Sequence, residues 1–98
     1  MRLIVSKSIE AKLNDPTPGV SLREVQEAIA NRAGKLLIDD RAEHKTNPPT
    51  YWFVAETNKG RMLKVMMVLD GNDAYLKSAY GATPTVIQIF ERKAGVNL

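Results

Sequence analysis

Leu22, Val25, Ala28 and Ile29 recur at the three- and four-residue spacing of one helix face. Ser21 stands before this stripe and Glu24 follows three residues later, the capping-box arrangement in which each side chain satisfies an orphan backbone donor at a helix start. Gly34 fits the left-handed position that ends such a helix, and Leu36-Leu37-Ile38 reads as a short buried strand. Upstream, Arg2 to Val5 reads as a short strand or as the lead-in to a helix, with Ile9 and Leu13 on one helical face. The run Asp15-Pro16-Thr17-Pro18-Gly19 stops that helix. Asp39 to Pro49 is polar and closed by two prolines, so an exposed loop is expected there.

The pattern then changes to period two. Tyr51 to Thr57 and Arg61 to Leu69 are rich in aromatic and β-branched residues, and Asn58-Lys59-Gly60 between them predicts a hairpin loop with glycine where a positive φ is needed. A second hairpin is expected at Asp70-Gly71-Asn72-Asp73, with a return strand over Ala74 to Tyr80. Thr83-Pro84 supplies a cap and a first-turn proline for a last helix carrying Val86, Ile87, Ile89 and Phe90. Two N-terminal helices, an antiparallel meander of about four strands and a C-terminal helix make an α+β fold, and 98 residues suit one domain spanning 1–98.

Composition narrows the chemistry. Apolar residues at 44% and charged residues at 26% support a packed core rather than a disordered tail. With no cysteine, disulfides, zinc–cysteine sites and thiol nucleophiles are excluded, and a cytoplasmic location is the simplest expectation. The N-terminus has too short an apolar run for a signal peptide, and no window suits a membrane span. The net charge of +3 permits a polyanionic partner. Phosphate-loop, dinucleotide-binding and serine-elbow motifs are lacking. With a single histidine, only carboxylates remain as metal ligands; Asp39-Asp40 and Asp70-Gly71-Asn72-Asp73 read as turns, so neither a metal nor a cofactor is expected.

A three-residue hairpin loop would pair Thr57 with Arg61. Trp52, Val54 and Glu56 would then share a face with Met62, Lys64, Met66 and Val68, whereas a two-residue loop would reverse the assignment. The opposite face, with Tyr51, Phe53, Ala55, Leu63, Val65, Met67 and Leu69, is more uniformly apolar and is expected to meet the helices. Glu56 and Lys64 on one surface read either as an exposed ion pair contributing under about 1 kcal/mol or as a proton-managing carboxylate beside a phosphate-stabilising ammonium. Arg41, His44 and Lys45, close to Trp52 in sequence, read as a solvated loop or as a cluster suited to phosphate binding and proton transfer. Trp52 itself reads as a partial core residue or as a base-stacking platform.

At Gly19-Val20-Ser21 with the Glu24-Val25-Gln26-Glu27-Ala28 helix behind it, at Gly60-Arg61-Met62-Leu63-Lys64-Val65, and at Ser78-Ala79, the chain resembles the BrnT family of ribonuclease toxins, part of the wider RelE-like toxin fold. Tyr80 stands where that family usually has an arginine. Asp40-Arg41-Ala42-Glu43-His44, Pro48-Pro49-Thr50, Trp52 to Asn58 and Ala79-Tyr80 are similar to short proteins labelled ADP-ribosyl-(dinitrogen reductase) hydrolase. This chain has neither the length nor the clustered acids of a two-magnesium glycohydrolase.

The BrnT resemblance implies a toxin of a type II toxin–antitoxin pair, a metal-independent endoribonuclease with RNA as substrate and a cognate antitoxin protein as partner. A homo-oligomer is compatible with it. RNA carries its own nucleophile in the 2′-hydroxyl, so a base, an acid and charge stabilisation suffice. On this reading Glu56 or His44 is the base, Tyr80 or His44 the acid, and Lys64 and Arg61 stabilise the phosphate. Arg41, Lys45 and Lys77 would hold flanking phosphates while Trp52 stacks on a base. The alternative is a non-catalytic, toxin-like protein-interaction or regulatory module. The ribonuclease reading requires these groups, drawn from four segments, to converge on one shallow basin.

Overall fold

The computed structural model describes residues 1–15, 19–39 and 48–98. Serine or threonine hydroxyls start all three of its helices. Ser6 caps α1 (Lys7–Asn14), Ser21 caps α2 (Leu22–Asn31) and Thr83 caps α3 (Pro84–Ala94), each accepting a backbone N–H from the first turn. The Ser21/Glu24 capping box forms as the sequence predicts, and Pro84 occupies the first turn of α3. At the far end of α2 the cap is Arg32 rather than Gly34. Gly34 lies just beyond, at φ +78°, where an added Cβ would stand 2.6 Å from Val96 Cγ1. Its role is thus a close approach to the C-terminal segment as well as a turn.

The strands are β1 (Arg2–Ile4), β2 (Leu37–Ile38), β3 (Thr50–Glu56), β4 (Met62–Asp70) and β5 (Asp73–Gly81). They form one mixed sheet in the order β1-β5-β4-β3-β2. The α+β class holds, with five strands among the described residues rather than four. The additional partner is β1, which runs parallel to β5 with Leu3 opposite Ala74. Its outer end is held by the Arg2 guanidinium, which donates to both oxygens of Asp73 at 3.0 and 3.2 Å.

The β3–β4 loop is the three-residue Asn58-Lys59-Gly60 turn, with Gly60 at φ +85° and Thr57 N–H donating to Arg61 O at 2.8 Å. That register places Phe53, Ala55, Leu63, Val65 and Met67 on one face, all buried, as alternation predicts. Leu76 and Ala79 reach the same buried face although they are three residues apart. They do so because Met66 pairs with Ser78 while Met67 pairs with Leu76, so Lys77 is an extra residue in β5 and shifts the alternation by one.

Helices α1 and α2 close that face with Leu13, Val25 and Ala28. The last helix does not join them. Phe90 of α3 packs against Trp52 with ring centroids 5.7 Å apart, and Trp52 points to the opposite side of the sheet from Phe53. The second face is therefore covered too, and Val54 on it is fully buried. No described helix is long and apolar enough to cross a membrane.

Candidate functional site

Lys64 is the unexpected member of the core. It is the third residue of β4, between Val54 on one side and Tyr80 on the other, and only 9% of its surface remains exposed. Its Nζ lies 4.7 Å from the centroid of the Trp52 ring and 5.8 Å from that of Tyr80. Both distances are within the range at which a ring face attracts a cation. Among the described residues no carboxylate forms an ion pair with it. Among the described residues, aromatic faces stand in for the counter-ion.

Lys64 lines a cleft of about 260 Å³. Trp52 and Lys64 contribute from the sheet, and Leu37, Ile38 and Asp39 from the β2 edge. Val86, Ile89 and Lys93 of α3 complete the lining. Asp39 corrects the expectation of a solvated turn: it is 5% exposed, and its N–H donates to Thr50 O at 2.8 Å, extending the β2–β3 ladder. The cleft thus combines two ammonium groups, a carboxylate, an indole and an aliphatic wall. Such a set can bind an anion and move a proton beside it.

Of the anticipated site residues, Lys64, Tyr80 and Trp52 come together. Glu56 and Arg61 do not join them. Glu56 faces Met62 rather than Lys64, and it lines a separate exposed depression with Asn31 and Leu98. It is a diagonal neighbour of Lys64 on the side away from Trp52, whereas the lysine extends toward Trp52, so the expected Glu56–Lys64 pairing does not form. By alternation Arg61 belongs to the other face of the sheet. There its Nη1 donates to Glu24 Oε2 at 3.1 Å and to Gly19 O at 3.1 Å, tying the hairpin to the start of α2. Lys77, the extra residue of β5, is exposed beside a shallow apolar groove lined by Ile4 and Ile9. Arg41, His44 and Lys45 lie outside the described residues.

One face of the Trp52 indole is occupied by the Lys64 ammonium. Its first role is therefore to hold that cation, rather than to offer both faces for stacking. Asp39 and Lys93 are cleft residues that sequence reasoning missed. Lys93 had a signal: it continues the spacing Val86, Ile89, Lys93, a stripe beside the one that packs into the core.

No protein-family model, curated protein or solved structure matches this chain. The cleft is interpreted from its own chemistry.

The Glu24–Arg61 contact carries a pH dependence. Donation from the Ser21 backbone N–H holds the Glu24 carboxyl below the ordinary glutamate value of 4.5; partial burial opposes this, and Arg61 adds to the depression. A carboxyl depressed in the folded state contributes stability that is present above its unfolded value and lost as the pH falls through the folded one. Stability should decline as the pH drops below 4.5, and Glu24→Gln should flatten that decline. Urea denaturation at a series of pH values from about 6 to about 3 measures both. An unchanged slope in the variant would remove Glu24 from the account.

Proposed function

We propose that this chain is a cytoplasmic, metal-independent endoribonuclease, the toxin of a type II pair, and that RNA phosphate docks on Lys64. The observation that carries this reading is the nearly buried Lys64, which lines a cleft and has no carboxylate ion-paired to it among the described residues. Burying a cation is costly unless an opposite charge compensates it, and two aromatic faces compensate only in part. The remaining field is directed into the cleft, where a phosphate is the complementary group. The resemblance to BrnT-type toxins supplies the identity of the polyanion.

The reaction needs nothing beyond the RNA. A base takes the 2′-hydroxyl proton, O2′ bonds to phosphorus, the P–O5′ bond breaks, and an acid protonates the departing O5′. The products are a 2′,3′-cyclic phosphate and a 5′-hydroxyl. Lys64 stabilises the charge that builds on the phosphoryl oxygens. Asp39 replaces Glu56 as the base because it lines the same cleft, with His44 as the alternative, and Tyr80 stands beside Lys64 as the acid.

Purified protein incubated with RNA in excess chelator should yield fragments ending in cyclic phosphate, and induction from a tight promoter should arrest growth unless an antitoxin is co-expressed. If cleavage and growth arrest are both absent, the reading is wrong. The separation of Arg61 and Glu56 from the cleft favours the second reading, a non-catalytic interaction module. RNA binding that weakens steeply with salt, without cleavage, would select it.

A further inference from the structure

Helix α3 is apolar over more of its circumference than packing requires. Ile87, Phe90 and Ala94, spaced i, i+3 and i+7, belong to the packed interior, with Phe90 fully buried and Ala94 5% exposed. Val86, Ile89 and Lys93 repeat the same spacing one residue earlier and line the cleft, Val86 also packing against the core. Val86 and Ile89 remain half-buried, while Lys93, in the basic last turn of the helix, is exposed. The second stripe thus ends in a cation that borders the same cavity as Lys64.

We propose that this stripe is the recognition wall of the site: Lys93 shares one RNA phosphate with Lys64 while the adjoining nucleobase lies on Val86 and Ile89. The inference rests on the ribonuclease reading and adds the residues that set affinity. Two ammonium groups on one cavity, one recessed against the sheet and one at the helix, match the several oxygens of a phosphate better than either does alone. An aliphatic wall beside them suits the flat apolar face that every nucleobase presents. Lys93 and Ile89 are positioning residues here and take no part in bond making.

Trp52 is the single tryptophan of the chain and lines this cleft, so its emission reports occupancy directly. The test is a titration with a short 2′-O-methyl RNA, which binds without being cut, at several salt concentrations. Saturable quenching is expected for the parent protein. Lys93→Ala should weaken binding about fivefold and reduce the slope of log affinity against log salt by about 0.7, the increment for one lost phosphate contact on a single strand. Ile89→Ala should weaken binding to a similar extent, roughly threefold to tenfold, with the slope unchanged. Lys12→Ala, on exposed α1, should leave both unchanged.

If Lys64→Ala weakens binding while Lys93→Ala and Ile89→Ala match the parent in affinity and slope, the α3 wall is refuted and the ribonuclease reading stands. Equal losses from Lys12→Ala and Lys93→Ala would also refute it, because the contact would be diffuse. If the parent protein does not bind the RNA, both inferences fall together.

Discussion

Replacing Lys64 with methionine should leave the protein at least as stable as the parent and, on the ribonuclease reading, lower RNA cleavage by about a hundredfold or more. Methionine keeps the length of the lysine stem, fills the same space between Val54 and Tyr80, and brings a thioether that packs against aromatic rings at about 0.3 to 1.5 kcal/mol. What disappears is an ammonium that is nearly buried and has no carboxylate ion pair among the described residues. A buried polar group short of partners costs about 1 to 3 kcal/mol, and cation–π attraction to Trp52 and Tyr80 returns about 1 to 2. An ammonium lies at or above the top of that cost range, so the balance favours methionine by about 1 to 2 kcal/mol. On the functional side, removing one preorganised charge stabiliser typically lowers the rate by about a hundred- to a thousandfold. Urea denaturation and a gel-based cleavage assay on the same preparation read both quantities. A variant that loses about 2 kcal/mol yet cleaves like the parent would make Lys64 a structural residue and leave the cleft without a function.

Gain of stability with loss of activity separates the two meanings of a buried charge. A lysine retained for packing is better there than its isosteres; a lysine retained for binding is worse for the fold and indispensable to the ligand.

The parts of this fold that were legible in the sequence are those decided by neighbours in the chain. Ser21 and Glu24, Thr83 and Pro84, and the Asn58-Lys59-Gly60 loop each specify their structure within a few residues, so the helix starts and the β3–β4 register follow directly. Decisions involving distant partners were not legible in the same way. Nothing in Arg2-Leu3-Ile4 names β5 as its neighbour, since a parallel pairing is set by how the intervening elements pack. The shift in β5 did leave a trace: Leu76 and Ala79 cannot share a face of a regular strand, and Lys77 between them is the residue that resolves the conflict.

The candidate site divides along the same line. Lys64, Trp52 and Tyr80 meet because the hairpin register puts them on one face, and that register was readable. Which face α3 would choose was not. The more apolar face was expected to meet the helices, and α1 and α2 do cover it. The third helix packs on Trp52 instead and turns Lys64 from a surface residue into a recessed one. Arg61 illustrates the opposite outcome: a cation beside a glycine turn looked available for phosphate, and its side chain is committed to Glu24 and to the Gly19 carbonyl.

Since the cleft exists only while α3 is docked, Phe90→Ala should destabilise the protein by about 3 to 5 kcal/mol and abolish RNA binding before the chain unfolds. Phe90 is fully buried, and its ring meets Trp52 at a centroid distance of 5.7 Å and an interplanar angle of 57°. Truncation leaves a cavity between helix and sheet that Ile87 and Ala94, fixed on the same helix, cannot fill. The other attachments of the C-terminal segment are smaller side chains, Val86, Ile87, Ala94 and Val96, the last lying close to Gly34, and a few hydrogen bonds. Leu98 N–H donates to Glu91 Oε2 at 2.8 Å within the segment itself, and the Ala82 N–H that donates to Met62 O at 2.9 Å anchors only the approach to the helix. With the ring gone, α3 should detach at a lower denaturant concentration than the sheet melts. Trp52 emission would then shift to the red in a first transition, and far-ultraviolet circular dichroism would follow in a second. Phe90→Leu, which retains most of the volume, should cost about 1 to 1.5 kcal/mol and preserve a single transition. Coincident transitions in Phe90→Ala would mean that helix and sheet form one cooperative unit, and then the cleft would be as rigid as the core beneath it.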